Sequence, residues 1–234
     1  MHFISPLQSG RLVKRYKRFL ADVVLDTGEE ITVHCPNPGS MMGVAPPDAP
    51  CWVSISDSKT RKLPHTLELV DVDGTLVAIN TNNPNKIGFE AIERGAIPEL
   101  RGYGRQKAEV KYGENSRIDI LLSEGRDGRD CYVEIKNVHL RRRETLAEFP
   151  DSVTARGAKH LRELSNIVAE GGRAVMLYIV QRGDCTAFQI ADDLDPAYAK
   201  ALSAAIEAGV ETLCYDCEIT TNEVVLRKAL PIEV

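Results

Sequence analysis

Two short stretches of this 234-residue chain carry residue types that could do chemistry: Ser116-Arg-Ile-Asp119-Ile-Leu-Leu122 and Tyr132-Val-Glu134-Ile-Lys136-Asn137. Side chains alternate along an extended strand, so Glu134 and Lys136 project opposite Val133 and Ile135, and Asp119 projects opposite Ile118 and Ile120. If the two strands pair as a hairpin, Asp119, Glu134 and Lys136 converge. Two carboxylates hold a hard divalent cation such as Mg²⁺ or Mn²⁺ through oxygen, while a lysine beside them orients or polarises an attacking water. Glu-x-Lys alone reads first as a solvated cross-strand ion pair. Three ionisable groups inside Ile/Val/Leu-rich strands favour a functional cluster.

Such a cluster needs elements to hold it. The polar segment Asn80-Thr-Asn-Asn-Pro-Asn85 has no apolar periodicity and marks a domain junction, giving domains 1–82 and 83–234. Beyond it Asn85 can cap a helix reaching about Arg94, with Ile87, Ala91 and Ile92 on one face and Gly95 as its stop. Strands follow at 107–112, 117–122 and 131–138, then a helix at 153–169, a strand at 174–180, a helix at 196–208 and a strand at 211–217. This order predicts a mixed α/β sheet. A helix, a three-stranded meander carrying Asp then Glu-x-Lys, a helix and a further strand is similar to the PD-(D/E)xK nuclease fold. That likeness implies an acidic residue on the first helix in the metal shell, and Glu90, off the apolar face, is the candidate.

On the helix after the meander, Ala158, Leu161, Leu164 and Val168 form an apolar stripe. Arg156, Lys159 and His160 share another face at i, i+3 and i+4, either to grip phosphates or as an ordinary solvated face. Arg141-Arg-Arg143, in the loop before it, is either a backbone clamp or a soluble loop.

Between residues 11 and 80 short alternating runs are separated by turn residues, with hairpin chemistry at Asp26-Thr-Gly-Glu and Asp71-Val-Asp-Gly. Five strands without a helix predict a small antiparallel barrel of the OB type. Arg11, Lys14, Arg15, Lys17 and Arg18, with no acid in the first twenty residues, alternate with Tyr16 and Phe19. That mixture supplies the basic groove and aromatic stacking through which OB folds bind nucleic acid. The competing reading buries Val13 and Phe19 in the barrel and leaves the cations in water.

The net charge of −5 excludes a chain whose whole surface is basic, and leaves a local patch as the route to DNA or RNA. The longest apolar run, Ala174 to Val180, is too short to cross a bilayer, and the N-terminus lacks a secretory pattern, so no membrane association and a cytoplasmic location are expected. Six scattered cysteines read as free core thiols. Cys214-Tyr-Asp-Cys217 lacks a second ligand pair for zinc.

Several motifs in one order resemble the sugar fermentation stimulation protein A (SfsA) family: Arg15-Tyr-Lys-Arg-Phe-Leu-Ala-Asp-Val, His34-Cys-Pro-Asn with Gly39-Ser-Met, Val110-Lys-Tyr-Gly with Ser116-Arg-Ile-Asp, Tyr132-Val-Glu-Ile-Lys-Asn-Val, and Phe149-Pro-Asp with Arg156-Gly and Lys159-His-Leu. The resemblance spans nearly the whole chain. It implies a bacterial DNA-binding protein with an N-terminal OB domain and a C-terminal nuclease-like domain. With the residues above, it leads to the expectation of a largely sequence-blind DNA-binding protein that hydrolyses phosphodiesters with Mg²⁺ or Mn²⁺. The rival expectation is a DNA-binding regulator on a catalytically idle nuclease fold, linked to sugar metabolism.

Overall fold

The alternating segments before residue 80 close on themselves. In the computed structural model, which describes residues 1–113 and 116–233, Gln8–Tyr16 (β1), Leu20–Leu25 (β2), Glu30–His34 (β3), Pro50–Ile55 (β4) and His65–Val72 (β5) lie in the order β3-β2-β1-β4-β5. A parallel bridge between His34 and Thr66 joins the two ends. This is the expected five-stranded OB barrel, and Thr75–Ala78 (β6) adds to β5 through a turn in which Asp73 and Gly74 both take positive φ. Leu12, Ala21, Val23, Val33, Cys51, Val53 and Leu67 fill its core. Lys17 and Arg18 adopt left-handed φ of 48° and 62° and reverse the chain between β1 and β2. Val13 and Phe19 are not in the barrel core, being 45% and 47% exposed.

The second half is a six-stranded sheet. Pro84–Glu93 (α1) precedes Tyr103–Tyr112 (β7), Ser116–Gly125 (β8) and Cys131–Val138 (β9). After them come Leu140–Arg143 (β10), Leu146–Phe149 (β11), Ala155–Ala169 (α2), Arg173–Val180 (β12), Ala187–Ile190 (β13), Pro196–Glu207 (α3), Glu211–Ile219 (β14), Val224–Ala229 (β15) and Ile232–Glu233 (β16). The main sheet runs β15-β14-β12-β9-β8-β7, with β9, β12 and β14 parallel. Val133, Ile135, Val175, Leu177 and Ile179 pack with Ile87 and Ala91 of α1 on one face; Met176, Tyr178 and Val180 pack with Leu161, Leu164 and Leu202 of α2 and α3 on the other. Gly88 permits the first contact, since a Cβ there would come 2.6 Å from Ile135 Cδ1.

The small sheet β10-β11-β13-β16 and strand β15 were not expected. They correct the reading of Arg141-Arg-Arg143, which lies on strand β10 rather than in a loop. Arg142 bonds Glu148 at 2.7 Å and Asp193 at 2.6 Å, and Arg141 pairs with Asp184 at 2.9 Å. Asn85 caps nothing. The cap position is Asn83, without a side-chain cap bond, and Asn85 lies inside the first turn. Barrel and sheet meet at Asp151, which accepts from the Met41 N–H at 3.1 Å and from the Ser40 hydroxyl. A side chain at Gly39 would collide with that carboxylate.

Candidate metal and nucleic-acid site

The site forms where two strands part. β8 and β9 pair only from Leu122↔Cys131 to Ile120↔Val133. Beyond that point the Ile135 N–H is taken by the Asp119 carboxylate at 2.7 Å, a side chain replacing the backbone ladder. The simple alternation expected around Asp119 also breaks, for Ile120 packs on the α1 face and Ile118 on the α2 face. Directly across on β7, Glu109 has a left-handed φ of 54°. Asn85 donates to Asp119 Oδ1 at 2.7 Å and to Glu109 at 3.1 Å, so α1 contributes an amide to this corner.

Burial, and then the negative charge of Glu134, push the Asp119 carboxyl up to about 6. Glu134 is 2% exposed. Its Oε1 accepts from Lys136 Nζ at 2.6 Å and from His160 Nδ1, while Oε2 is buried with no partner. Burial alone would raise this carboxyl, yet the His160 hydrogen bond and the Lys136 charge outweigh it and hold it below its ordinary value. His160 Nε2 accepts from Arg156 Nε at 3.2 Å, so Arg156, His160 and Glu134 form a chain into the centre.

Asp119, Glu134 and Lys136 therefore come together as expected. Glu90 does not join them: it binds the Met1 ammonium at 2.8 Å and lies 3.9 Å from Lys86, because its side of α1 faces the chain's N-terminus. Among the described residues no group of three or more His, Cys, Asp or Glu is arranged as a metal cage. His160 was expected on the phosphate-gripping face with Arg156 and Lys159, and it is buried instead, at 5% exposure. Arg156 is exposed beside it, and Lys159 lies 3.5 Å from Glu163.

The N-terminal cations divide as sharply. Arg15 is a strut, donating to the carbonyls of Asn37 and Gly39 at 2.8 Å each. Arg11 donates to the Asp48 carbonyl, and Lys14 pairs with Asp22 at 3.5 Å while lying over the Tyr16 ring. Lys17 and Arg18 stand exposed on their turn. Arg18 also lines a cleft of about 550 Å³ between barrel and sheet, with Asn37, Asn137, His139 and Thr154. Thr154 caps α2 through the Gly157 N–H, and the cleft is lined by Asn137 and Val138 of β9 but by none of Asp119, Glu134, Lys136 or His160.

Sequence reasoning missed Asn85 and the inward turn of His160. The His160 signal was available, because i, i+3 and i+4 spacing puts His160 one turn from Arg156 and next to Leu161. The six cysteines are all buried as free thiols. No helix among the described residues is long and apolar enough to cross a membrane.

Residues 82–223 match the family described as the sugar fermentation stimulation protein RE domain, and residues 13–79 match the SfsA N-terminal OB domain. Curated relatives called sugar fermentation stimulation protein homologs, from Brucella ovis and Brucella melitensis, are each 55% identical over 233 residues, covering 100% of this chain and 98% of theirs. A solved structure described as Pyrococcus furiosus SfsA in complex with Ca²⁺ superposes with a TM-score of 0.89 at 27% identity, covering 100% of this chain and 98% of that one.

Proposed function

The chain belongs to the sugar fermentation stimulation protein family, and from that premise we propose that it is a divalent-cation-dependent nucleic-acid phosphodiesterase centred on Asp119, Glu134 and Lys136. One observation carries the reading: Glu134 is buried, yet one of its oxygens has no partner beside a second carboxylate pushed up to about 6. Buried polar atoms are nearly always satisfied, and two adjacent carboxylates oppose each other's ionisation until a cation compensates them.

The donor set fits a hard ion. Asp119 and Glu134 offer carboxylate oxygens, and Mg²⁺ or Mn²⁺ commonly takes one or two such ligands, completing its shell with water and substrate phosphate. The relative described in complex with Ca²⁺ supports a divalent site in this fold. When bound, the ion would polarise the phosphoryl group and lower the pKa of water.

The chain's own residues do the rest. Lys136, anchored on Glu134 Oε1, holds an ammonium donor at the site to orient the attacking water. His160 fixes Glu134 by the same oxygen and keeps it ionised. Arg156 presents a guanidinium at the mouth for a phosphate. The exposed Lys17 and Arg18, the Arg18-lined cleft and α2 supply a sequence-blind electrostatic contact. Labelled DNA and RNA incubated with Mg²⁺ or Mn²⁺, and with chelator, test this. Metal-dependent cleavage lost in Lys136→Ala is the expected result. Nucleic-acid binding without cleavage by the wild type in any metal would leave a DNA-binding regulator on an idle fold.

A further inference from the structure

The β1–β2 turn carries an arrangement that the metal centre does not use. Lys17 and Arg18 both hold the left-handed backbone that non-glycine residues rarely adopt, and the Phe19 N–H folds back onto the Lys17 carbonyl at 2.7 Å. The turn thrusts Phe19 into solvent, 47% exposed, while Ala21 two residues on is fully buried. Exposed Phe19 is nevertheless fixed. Its ring stacks on His34, with centroids 6.4 Å apart and planes inclined by 23°. The backbones beneath are tied by the Leu20↔His34 pair and by the Cys35 N–H donated to the Phe19 carbonyl at 2.8 Å.

Cations surround this stack. Arg61 donates to the Thr66 hydroxyl at 3.1 Å and approaches His34 Nδ1 at 3.5 Å. Burial and the Arg61 charge lower the His34 pKa, so the imidazole is neutral near pH 7 and acts as a flat ring rather than a further charge. Lys17 and Arg18 stand exposed at the turn, and Arg61, also exposed, lies near enough to the buried Glu68 for its charge to work against the burial that raises that carboxyl. A flat, rigid aromatic face with exposed cations beside it complements a ligand that is anionic and has a free π-face. Bases inside a duplex have no free face to offer, while an unpaired nucleotide does.

We infer that Phe19 and His34 form a stacking platform for an unpaired nucleotide, with Arg18 and Arg61 taking the flanking phosphates, so that the nucleic acid reaching the barrel is single-stranded. The inference rests on the proposed function for its ligand class and deepens it by naming the strand state. Arg18 also lines the cleft between barrel and sheet, along which a strand leaving the platform would run.

The test is fluorescence anisotropy in chelator, with a short labelled oligothymidylate and a blunt hairpin duplex as probes, on wild type, Phe19→Ala and Phe19→Trp. Loss of one stacked base predicts about a tenfold weaker oligothymidylate complex for Phe19→Ala, with the duplex, held by phosphate contacts, moved by less than about twofold. Phe19→Trp restores the affinity, and its added emission is quenched by the oligothymidylate. Phe19→Ala binding the oligothymidylate as wild type does, or losing both probes in proportion, overturns the platform. Wild type that binds oligothymidylate through Phe19 but cleaves nothing with metal overturns the phosphodiesterase and leaves the platform standing. Wild type that binds neither probe overturns both.

Discussion

Two glutamates in the second half of the molecule are almost equally buried and are treated in opposite ways. Glu148 on β11 is 1% exposed, and both of its oxygens are bonded by Arg142, Oε2 at 3.0 Å from Nε and Oε1 at 2.7 Å from Nη2. Glu134 on β9 is 2% exposed, yet Lys136 and His160 crowd onto one oxygen and leave the other with none. A carboxylate satisfied by a bidentate arginine is a structural joint. One left half-satisfied in a buried site is kept for something that binds there.

The contrast is sharpest in variants that separate activity from stability. Lys136→Ala removes the ammonium that orients the nucleophile, so any cleavage should fall by about 10²–10³-fold or more, the scale of losing one positioned electrostatic group. Its melting temperature should fall less than that of Arg142→Ala, because His160 stays on the same Glu134 oxygen. Arg142→Ala should do the opposite, costing about 3 kcal/mol because it strands Glu148 as a buried, unpaired charge, while cleavage per folded molecule stays near wild type. Thermal melts beside a cleavage assay check both, and a collapse of stability in Lys136→Ala with activity intact would erase the distinction.

Acidity gives the next effect. Asp119 has its carboxyl raised from 3.8 to about 6, so between those values the folded protein holds a proton that the unfolded chain has released. Stability therefore declines as pH rises through that window, by at most about 2–3 kcal/mol from this group. A cation removes the cause, so Mn²⁺ should raise the melting temperature more at pH 7 than at pH 5. Asp119→Asn should flatten both trends. Equal Mn²⁺ stabilisation at the two pH values would show that the ion binds elsewhere.

The smallest effect belongs to Glu90. Its carboxylate is engaged with the Met1 ammonium, so Glu90→Gln should leave Mn²⁺ affinity within about twofold and cost under about 1 kcal/mol, as expected for a partly exposed pair. A tenfold loss by calorimetry would restore it to the metal shell.

How far this comparison could be read from sequence follows the range of the contacts involved. Glu134 and Lys136 were legible because alternation along one strand is a local property, and Asp119 because it lies among apolar residues on the neighbouring strand, although the alternation around it breaks. The barrel was legible from its turn residues, and the central strand β12 from its unbroken apolar run. What escaped depended on distant partners. Arg142 read as a loop cation because Glu148 and Asp193 become its neighbours only when β11 and β13 pair side by side. Arg15 read as a nucleic-acid contact because the carbonyls it braces lie more than twenty residues away. Glu90 was assigned by helix face alone, and nothing local says that the chain's first residue occupies that face. Asn85 looked like a cap, since capping and reaching across to Asp119 call for the same residue type.

Titration calorimetry of Mn²⁺ into wild type and Asp119→Asn at neutral pH, each checked for a cooperative melt without metal, tests the metal centre most directly. The wild type should bind one or two ions and Asp119→Asn none at that centre, with cleavage of DNA appearing only in the wild type. A wild type that takes up no divalent ion even with DNA present would contradict the account and make Asp119, Glu134 and Lys136 a buried charge cluster with no catalytic use.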